Sequence, residues 1–407
     1  MTAGLDRIVV VGGGIAGVST ASALRAGGYQ GQLTLVDAGE FPYDRPPLSK
    51  DYLAGAKDLK AIALQPAEWY DDQNIGLRNL TTVAALRPTE GGVELGDGTM
   101  LAADRVILAT GGKAARPPIP GSDSDRVHVL RSSDDADNLR AQLVPGARVL
   151  VVGAGLIGAE VASTALDLGC VVTLVDPVPI PLAPAVGSDV AAWLHSLHRT
   201  RGVDTVTAGV ESFTDTPAGI TAQLGNGSEP RDFDVVVLGV GMVPETGLAV
   251  AAGLEVDRGI VVDSGQVTSN PAVLAVGDPT QVRRGDVLAP RAEHWEAAQH
   301  DGQRAAATIL GLPAPAATAS WFWTDRHHRH VEGVGHMSDA EHVVIRGDFD
   351  APAFSAFGLR ADLVVGAVAI DDSNAVRAAR RMIDRAVIVD PQRLADPATD
   401  LRKLLRG

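Results

Sequence analysis

The chain has 407 residues, of which 45% are hydrophobic and 4% aromatic, and it contains 45 glycines. This length predicts about two to four domains, and the composition is typical of compact α/β proteins rather than of disordered chains. The formal net charge of −15 argues against nucleic acid or an anionic membrane as a partner. The first apolar strand begins at Arg7, and no apolar run reaches the roughly 18 residues of a membrane span, so we expect a cytoplasmic protein without a signal peptide.

The single cysteine, Cys170, limits the chemistry that the chain can perform. Intramolecular thiol–disulfide exchange needs two cysteines, so this mechanism is excluded. Cys170 directly precedes an apolar run at residues 171–175, where a buried structural thiol is favoured over a reactive one.

The first predicted unit opens with an apolar strand at residues 8–11. This strand leads into Gly-Gly-Gly-Ile-Ala-Gly at residues 12–17, which opens a predicted helix, and a second apolar strand then ends at Asp37. A Gly-Asp-Gly hairpin signal follows at residues 96–98, and a further apolar strand exits into Gly111. This order predicts a parallel sheet with a small antiparallel meander.

The same order of features recurs about 140 residues later. An apolar strand leads into Gly-Ala-Gly-Leu-Ile-Gly at residues 153–158, and the strand after the next helix ends at Asp176. A Gly-Asn-Gly turn at residues 225–227 and an apolar strand that exits into Gly241 complete the second copy. The chain therefore predicts two units of one plan.

Each glycine motif follows a buried strand and opens a helix, and an acid lies 20 residues after the last glycine in the first copy and 18 in the second. This pattern is typical of a dinucleotide-binding turn, in which the helix N-terminus binds a pyrophosphate and the acid binds a ribose. A tight turn without a ligand is the alternative, but the context of both motifs favours two dinucleotides. The predicted loop residues are Gly12, Gly14, Ala16 and Gly17 in the first motif and Gly153, Gly155, Leu156, Ile157 and Gly158 in the second.

The second motif also predicts which nicotinamide cofactor is preferred. A 2′-phosphate beside Asp176 would need a nearby arginine. Residues 177–184 read Pro-Val-Pro-Ile-Pro-Leu-Ala-Pro and contain no cation. We therefore expect NADH to be preferred over NADPH, and a solvated loop acid at position 176 stays the alternative.

The rest of the chain predicts a return to the first unit and then a separate C-terminal part. An apolar strand at residues 272–276 is followed by Gly-Asp and by a helix at residues 293–310, after which Pro313 and Pro315 indicate a boundary. Beyond it, strand-like runs such as residues 342–345 alternate with a basic helix near residues 374–385.

Five runs, taken together, resemble one family. They are Arg-Pro-Pro-Leu-Ser-Lys at residues 45–50, Gly-Ala-Gly-Leu-Ile-Gly-Ala-Glu at 153–160, Ala-Val-Gly-Asp at 275–278, His-Trp-Glu-Ala-Ala at 294–298 and Trp-Phe-Trp-Thr-Asp at 321–325. Over nearly its whole length the chain resembles the NADH-dependent ferredoxin reductases of the putidaredoxin reductase, rhodocoxin reductase and ring-hydroxylating dioxygenase reductase type, which are relatives of apoptosis-inducing factor. The first and last of these runs together are the most specific part of the resemblance.

The resemblance implies an α/β, glutathione-reductase-like fold that consists of two Rossmann-type dinucleotide-binding domains and, in addition, a C-terminal α+β domain. It implies a discontinuous FAD-binding domain at residues 1–112 and 244–318, an NAD-binding domain at residues 113–243 and a C-terminal domain at residues 319–407.

The resemblance also assigns cofactor contacts. It implies that FAD places its pyrophosphate at residues 12–17, its ribose at Asp37 and its ribityl chain at Asp278, with backbone contacts from Trp295. The other cofactor-binding residues that we expect are Arg45, Gly111 and Gly241.

Three further residues are expected to be catalytic because of the resemblance. Lys50 would lie beside the flavin and pair with Glu160, and Trp323 would pack near the ring. Without the resemblance, an exposed loop lysine and a helix-start acid would be the favoured explanations of Lys50 and Glu160, and ordinary core packing would explain Trp323.

The implied reaction is hydride transfer from NADH to flavin N5, followed by single-electron transfer to a [2Fe-2S] ferredoxin that serves an oxygenase. Two alternatives stay open: a flavin-dependent oxidase or small-molecule reductase, and an NADH-sensing binding flavoprotein.

The chain departs from the family pattern at three places. His327, His328 and His330 follow the aromatic run where relatives carry few histidines, and no metal site is predicted because complementary carboxylates or thiolates are missing from the segment. Ala115 stands where relatives often have an arginine that contacts FAD. Pro184 stands where an arginine is common, which strengthens the expected preference for NADH.

The predicted C-terminal helix offers a basic surface for an acidic ferredoxin. Three of its four arginines are spaced by four residues and therefore share one face. A solvated helix face is the equally weighted alternative, and the oligomeric state stays open. The expected docking residues are Arg377 and Arg381, with Arg385 and Arg380 on the same helix and Arg326 and Arg329 nearby, all close to Trp323.

Overall fold

The computed structural model describes residues 5–88 and 90–405. The strands, numbered in chain order, are β1 Arg7–Val11, β2 Gln32–Val36, β3 Ile75–Arg78, β4 Val83–Arg87, β5 Gly92–Leu95, β6 Met100–Ala102, β7 Arg105–Leu108, β8 Gly112–Ala114, β9 Val127–Val129, β10 Arg148–Val152, β11 Val171–Asp176, β12 Asp204–Thr207, β13 Val210–Thr216, β14 Gly219–Leu224, β15 Arg231–Phe233, β16 Val235–Leu238, β17 Met242–Pro244, β18 Ile260–Val262, β19 Val273–Ala275, β20 Thr280–Arg284, β21 Val287–Leu288, β22 Trp321–Arg326, β23 Arg329–Gly335, β24 His342–Arg346, β25 Phe354–Arg360 and β26 Leu363–Ile370.

The helices are numbered in the same way. They are α1 Ile15–Ala26, α2 Ala67–Asp72, α3 Ser133–Arg140, α4 Leu156–Asp167, α5 Ala183–Val186, α6 Ser188–Thr200, α7 Gly247–Ala251, α8 Trp295–Leu310, α9 Ser373–Asp384, α10 Pro391–Ala395 and α11 Leu401–Leu404. Short 3₁₀ helices lie at Pro46–Ser49, Lys60–Ile62 and Met337–Asp339.

The chain divides into two compact units. Unit 1 contains the chain up to Arg45 together with Lys57–Lys113 and Met242–Ala317. Unit 2 contains Pro46–Ala56, Ala114–Gly241 and the chain from Thr318 onward. The division into three domains that the sequence suggested stays a prediction.

Unit 1 is built on a five-stranded sheet with the order β19-β7-β1-β2-β3. The central strand β1 pairs in parallel with both β2 and β7, and four of its five residues are buried. Nearly continuous apolar strands such as β1 and β7 are expected in a parallel sheet that is covered on both faces. One face packs with α1 and α8, and the other packs with residues of the meander β4-β5-β6.

Unit 2 repeats this plan in its first part. Its sheet has the order β12-β11-β10-β16-β9, and β10 pairs in parallel with β11 and β16 as β1 pairs with β2 and β7. The meander β13-β14-β15 follows, with the predicted Gly-Asn-Gly turn between β14 and β15. The two topologies confirm the repeat that the sequence predicted.

The C-terminal part of unit 2 is an antiparallel sheet with the order β22-β23-β26-β25-β24. One face packs on α9 through side chains such as Phe357 and Met382. The other face packs on α5 and α6, where Trp193 meets Phe354 edge to face with ring centroids 5.0 Å apart. Side chains alternate between the two faces along each strand, and helices cover both faces of this sheet.

Candidate active site

The first glycine motif joins β1 to α1 in unit 1. Gly12 has a φ of +112°, and a Cβ there would lie 2.2 Å from the carbonyl oxygen of Ala109. A Cβ at Gly17 would lie 1.9 Å from the carbonyl oxygen of Gly12, so the turn and the packing of α1 both require glycine. A Cβ at Gly14 would meet no atom within 4 Å. The loop is therefore open beside the N-terminus of α1, which is a favourable place for a phosphate.

The second motif, between β10 and α4 in unit 2, repeats this geometry. Gly153 has a φ of +97° and a Cβ there would lie 2.5 Å from the carbonyl oxygen of Gly239, while a Cβ at Gly158 would lie 1.9 Å from that of Gly153. The space around Gly155 is open to 4 Å. The other predicted loop residues lie at helix starts or after a strand: Ala16 in α1, Leu156 and Ile157 in α4, and Gly241 after β16.

Both predicted ribose acids lie against the glycine loop of their own unit. Asp37 Oδ1 accepts a hydrogen bond from Gly13 N at 3.2 Å. Asp176 Oδ2 accepts from Ala154 N at 2.7 Å, and its Oδ1 accepts from Val178 N at 2.8 Å. These backbone donors fix the orientation of each carboxylate, and its remaining lone pairs are available to ribose hydroxyls.

The loop that carries Asp278 follows β19 and is held by a buried acid that the sequence reasoning missed. Asp301 on α8 accepts from Gln266 Nε2 at 3.0 Å and from Gly277 N at 3.4 Å. Burial raises the pKa of Asp301 to about 6, although the charge of Arg304 opposes the change. The available signal was an acid among the small residues of α8, and it is too weak to use from sequence alone.

The other predicted FAD residues of unit 1 lie on connecting segments or at a helix start. Trp295 is the first residue of α8 and its Nε1 donates to Asp44 Oδ1 at 2.8 Å. The guanidinium carbon of Arg45 lies 5.9 Å from the centre of the Tyr43 ring. Gly111, directly before β8, has a φ of +65°.

In unit 2, Lys50 and Glu160 form the ion pair that the resemblance implied. Lys50 Nζ lies 3.4 Å from Glu160 Oε1, and the two side chains are 16% and 7% exposed. Glu160 also accepts from Ser49 Oγ at 2.5 Å, from Thr324 Oγ1 at 2.7 Å and from Asp325 N at 3.1 Å. These donors stabilise a carboxylate charge that burial would otherwise disfavour.

Asp325 is a second carboxylate partner of Lys50 that the sequence reasoning did not identify. Its Oδ2 lies 2.6 Å from Lys50 Nζ, and its Oδ1 lies 2.6 Å from His330 Nδ1. Burial by itself raises the pKa of Asp325, but the hydrogen bonds from Lys50 and His330 outweigh it, so the pKa lies below its ordinary value. The lysine is therefore held between two carboxylate side chains, those of Glu160 and Asp325.

Trp323 completes the group of predicted catalytic residues. Its ring stacks on that of Trp321, with centroids 4.9 Å apart and planes inclined by 23°. Lys50 Nζ lies 5.5 Å from the centroid of the Trp323 ring, which is a cation–π distance. The structure thus brings Lys50, Glu160 and Trp323 together within unit 2.

Strands β22 and β23 are joined by a two-residue turn at residues 327–328. Both residues have positive φ, 52° and 60°. This turn type suits the twist of a hairpin, but it normally uses asparagine and glycine, so histidines here need outside support. His327 N donates to Ser163 Oγ at 2.7 Å, which provides such support. The turn sets the register in which Asp325 faces His330.

A buried basic group lies beside this turn. His327 Nε2 is 2.8 Å from Nδ1 of His198 on α6, and Arg326 is 3% exposed. Burial, and then the charge of Arg326, lowers the pKa of both histidines. The two imidazoles are therefore held in their neutral forms in the folded protein.

The expectation that Arg326 belongs to a docking surface is wrong. Arg326 is 3% exposed and lies on the same face of β22 as Phe322, which packs in the cluster that contains α6 residues. Its Nη2 donates to Thr324 Oγ1 at 3.2 Å, so a partner protein cannot reach it. Arg329 is half-buried and pairs with Asp371 at 2.9 Å. By contrast, Arg377 and Arg381 are both exposed on α9.

The described residues contain neither a metal-binding cluster nor a membrane-spanning helix. Within residues 5–88 and 90–405, no three His, Cys, Asp or Glu side chains are gathered as a metal site would require. In the same part of the chain, no helix is long and apolar enough to cross a membrane.

Comparison with known proteins assigns the family. The family model described as pyridine nucleotide-disulphide oxidoreductase matches residues 6–302. The chain belongs to the pyridine nucleotide-disulphide oxidoreductase family. A second model, described as reductase C-terminal, matches residues 321–405 of this oxidoreductase.

Relatives of this oxidoreductase cover almost its whole length. It is 38% identical to the anthranilate 1,2-dioxygenase system ferredoxin–NAD(+) reductase component of Burkholderia cepacia, covering 98% of this chain and 99% of that one. It is 34% identical to putidaredoxin reductase of Pseudomonas putida, covering 98% and 97%. Its structure matches the reductase of a covalent putidaredoxin reductase–putidaredoxin complex with a TM-score of 0.92 at 32% identity, covering 98% of both chains.

Several predictions from the sequence are confirmed at the level of the family. The resemblance, the α/β fold, the oxidoreductase class and the cofactor pair FAD and NADH all agree with these matches. Despite the disulphide in the family description, this oxidoreductase has one cysteine, and Cys170 is buried with a pKa raised by burial. The roles of the individual site residues stay predictions.

Proposed function

We propose that this oxidoreductase is an FAD-dependent NADH:ferredoxin reductase that supplies electrons to an oxygenase, and that it works in the cytoplasm. The observation that carries the proposal is the pair of open glycine loops, each with its own oriented carboxylate, in a chain whose relatives are ferredoxin–NAD(+) reductases. Bound FAD would accept two electrons from NADH and give them singly to an iron–sulfur partner. The [2Fe-2S] type of that partner is part of the proposal.

The first loop is the proposed FAD site. The open space at Gly14 fits a pyrophosphate at the N-terminus of α1, and Asp37 is oriented for a ribose. Asp278, on a loop that Asp301 holds, would bind the ribityl chain. The remaining FAD contacts that we propose are Arg45, Gly111 and Trp295.

The second loop is the proposed NADH site. Gly155 leaves room for the pyrophosphate, and Asp176 is oriented by two backbone donors. A 2′-phosphate beside this carboxylate would meet a like charge with no arginine in residues 177–184 to balance it. NADH is therefore the proposed substrate, with NADPH disfavoured.

Lys50 and Glu160 are the proposed catalytic pair. The Lys50 ammonium would stabilise the negative charge that a flavin gains on reduction. Glu160 orients it, and Ser49 and Thr324 fix Glu160 by hydrogen bonds. Trp323, stacked and close to Lys50, would provide an apolar wall that excludes water.

The exposed face of α9 is the proposed docking surface for the ferredoxin. Arg377 and Arg381 are exposed one helical turn apart, and Arg385 lies exposed at the end of the helix. Guanidinium groups in this arrangement suit the carboxylates of an acidic partner, even though the net charge of the whole chain is −15.

The test is to purify the protein and follow its flavin and its turnover. The proposal expects one releasable FAD per chain, bleaching by NADH without oxygen, and fast NADH oxidation when an acidic [2Fe-2S] ferredoxin is added. Oxidation that is as fast with oxygen or a small quinone as with ferredoxin would identify an oxidase or a small-molecule reductase instead. A colourless protein that cannot be reconstituted with FAD would overturn the proposal.

A further inference from the structure

His330 lies inside the charged cluster around Lys50, and the proposed catalytic pair makes no use of it. Its Nδ1 is 2.6 Å from Asp325 Oδ1, and its Nε2 is 3.3 Å from Glu332 Oε1. Carboxylate oxygens accept hydrogen bonds and do not donate them, so an imidazole that is protonated on both nitrogens satisfies both contacts. Both ring nitrogens of His330 therefore have a carboxylate within reach.

The contacts of His330 reach the catalytic residues along two routes. On one side Asp325 joins it to Lys50 Nζ at 2.6 Å. On the other side Glu332 accepts a hydrogen bond from Trp321 Nε1 at 2.8 Å. Trp321 in turn stacks on the ring of Trp323, which faces Lys50. The contacts thus close a ring, which we call the His330 ring; its members are Lys50, Asp325, His330, Glu332, Trp321 and Trp323.

The region around Lys50 contains more carboxylates than permanent cations. Three carboxylates, two of them in the His330 ring and the third Glu160, face two permanent cations, Lys50 and the buried Arg326. His330 supplies the third positive charge when it carries its second proton. The charged groups that face His330 are Asp325 on β22, Glu332 on β23 and, at its backbone nitrogen, Asp371 after β26, which is paired with Arg329.

The position of His330 also gives it access to solvent. Its side chain is 41% exposed, whereas that of Lys50 is 16% exposed. His330, which is two contacts away from Lys50, is therefore more accessible to water than the lysine is. The two-residue turn at 327–328 maintains this arrangement, because it fixes the register of His330 opposite Asp325.

We propose that His330 is a positioning residue for the reductive step: its imidazolium holds Asp325 against Lys50, and gain or loss of its exposed proton makes the charge around Lys50 depend on pH. The inference rests on the proposed function, in which Lys50 serves the flavin. When the imidazole loses its proton, Asp325 loses a charged partner and the cluster becomes more negative, which opposes the charge that a flavin gains on reduction.

The experiment compares three side chains at position 330 by anaerobic stopped-flow reduction of the bound flavin with NADH across pH 5.5 to 9. In the native protein the rate should fall by about three- to tenfold as the pH rises through the range in which histidine titrates. His330→Gln, which cannot be charged, should be slow at every pH. His330→Lys, which keeps the charge, should be fast at every pH and thereby rescue the loss.

The midpoint potential of the flavin, measured by dye equilibration at the same pH values, gives a readout that is independent of turnover. This potential should depend on pH and on the side chain at position 330 as the reduction rate does. At low pH the potential of His330→Gln should be more negative than that of His330→Lys. His342→Gln, which changes an exposed histidine on β24, is the matched control and should keep the native profile. A native pH profile in His330→Gln, or equal behaviour of the Gln and Lys variants, would overturn the inference.

A measurement without NADH separates this inference from the proposed function. In ¹⁵N-histidine NMR spectra of the protein as isolated, the imidazole signal of His330 is the one that is absent from the spectrum of the His330→Gln variant. Asp325→Asn should move the loss of the second ring proton to lower pH, since one carboxylate partner is gone. If the His330 imidazole titrates alike with and without the Asp325 charge, the positioning role of His330 is wrong, even where NADH reduces the flavin. If NADH does not reduce the flavin at all, the proposed function of the protein is wrong.

Discussion

Glu160 and Lys50 form a largely buried ion pair, with Oε1 and Nζ 3.4 Å apart, and Lys50 has a second and closer partner in Asp325 at 2.6 Å. Because of this second partner, the two halves of the pair should not be equivalent in mutation. We predict that Lys50→Met slows NADH-driven flavin reduction by about 10²-fold, while Glu160→Gln slows it less, since Asp325 still orients the lysine. Stopped-flow absorbance of the flavin measures both rates, and Lys60→Met, at an exposed lysine of unit 1, is the control. Equal losses for the two variants would contradict the role given to Asp325.

Two glycines of the first motif, one in open space and one tightly packed, predict different phenotypes. Gly14→Ala should fold and bind FAD at least about tenfold more weakly, because its Cβ enters the open space proposed for the pyrophosphate. Gly17→Ala should lower the yield of folded protein, because its Cβ would lie 1.9 Å from the carbonyl oxygen of Gly12. Flavin content per chain and the thermal midpoint distinguish the two outcomes. Full FAD content in Gly14→Ala would show that the pyrophosphate lies elsewhere.

Asp176 predicts the choice of nicotinamide cofactor. We expect kcat/KM to be at least about tenfold higher with NADH than with NADPH, since an unbalanced phosphate near this carboxylate costs about 1 to 3 kcal/mol. Asp176→Ala combined with Val178→Arg should narrow the ratio, chiefly through KM for NADPH. If the native protein uses both cofactors equally, the carboxylate does not meet the ribose.

The α9 face predicts a specific response to charge reversal. Arg377→Glu with Arg381→Glu should slow ferredoxin reduction, mainly by slower association, and should weaken its dependence on salt. Ferricyanide reduction by NADH should stay unchanged. The matched control is Arg393→Glu with Arg402→Glu, which makes the same charge change at exposed arginines of α10 and α11. Undiminished ferredoxin turnover at low ionic strength would place docking elsewhere.

The buried pair His198 and His327 predicts a loss of stability in acid. Their pKa values are lowered in the folded protein, by burial first and then by the charge of Arg326. Below about pH 6.5 the unfolded chain therefore binds more protons than the folded one, and stability falls as pH falls, by up to about 1 kcal/mol per pH unit for each histidine. His198→Gln should flatten this dependence in urea unfolding between pH 6.5 and 4.5. His342→Gln, at an exposed position, should leave it unchanged, and an equally steep slope in His198→Gln would contradict the assignment.

The glycine turns, the strands that lead into them and the acids that follow could be predicted from the sequence because each depends on local geometry. Gly12 has a positive φ in the turn, Gly17 lies against the carbonyl oxygen of Gly12 in the same turn, and Asp37 directly follows β2, the strand that pairs with β1. Repetition of the pattern at Gly153–Gly158 made the prediction stronger. The basic helix was also predicted, and α9 begins and ends within a residue of the expected bounds.

The surroundings of Lys50 were decided by tertiary structure. The resemblance supplied the pair Lys50 and Glu160, but Asp325 and His330 become its neighbours only through the strand register that the turn at 327–328 sets. Nothing in the local sequence specifies such a register, because one residue of slippage would turn every side chain of the hairpin to the other face.

The burial of Arg326 also could not be predicted from the local sequence. Arginine is usually exposed, so the sequence favoured a surface residue, and the structure buries it because α6 covers the face of β22 to which it points. Local chemistry therefore determined the glycine turns of this protein and the positions of the two acids that are proposed to bind nucleotides. Which charged side chains are buried, and which of them meet, was decided by the packing of segments far apart in the chain, since burial is a property of the neighbours rather than of the residue.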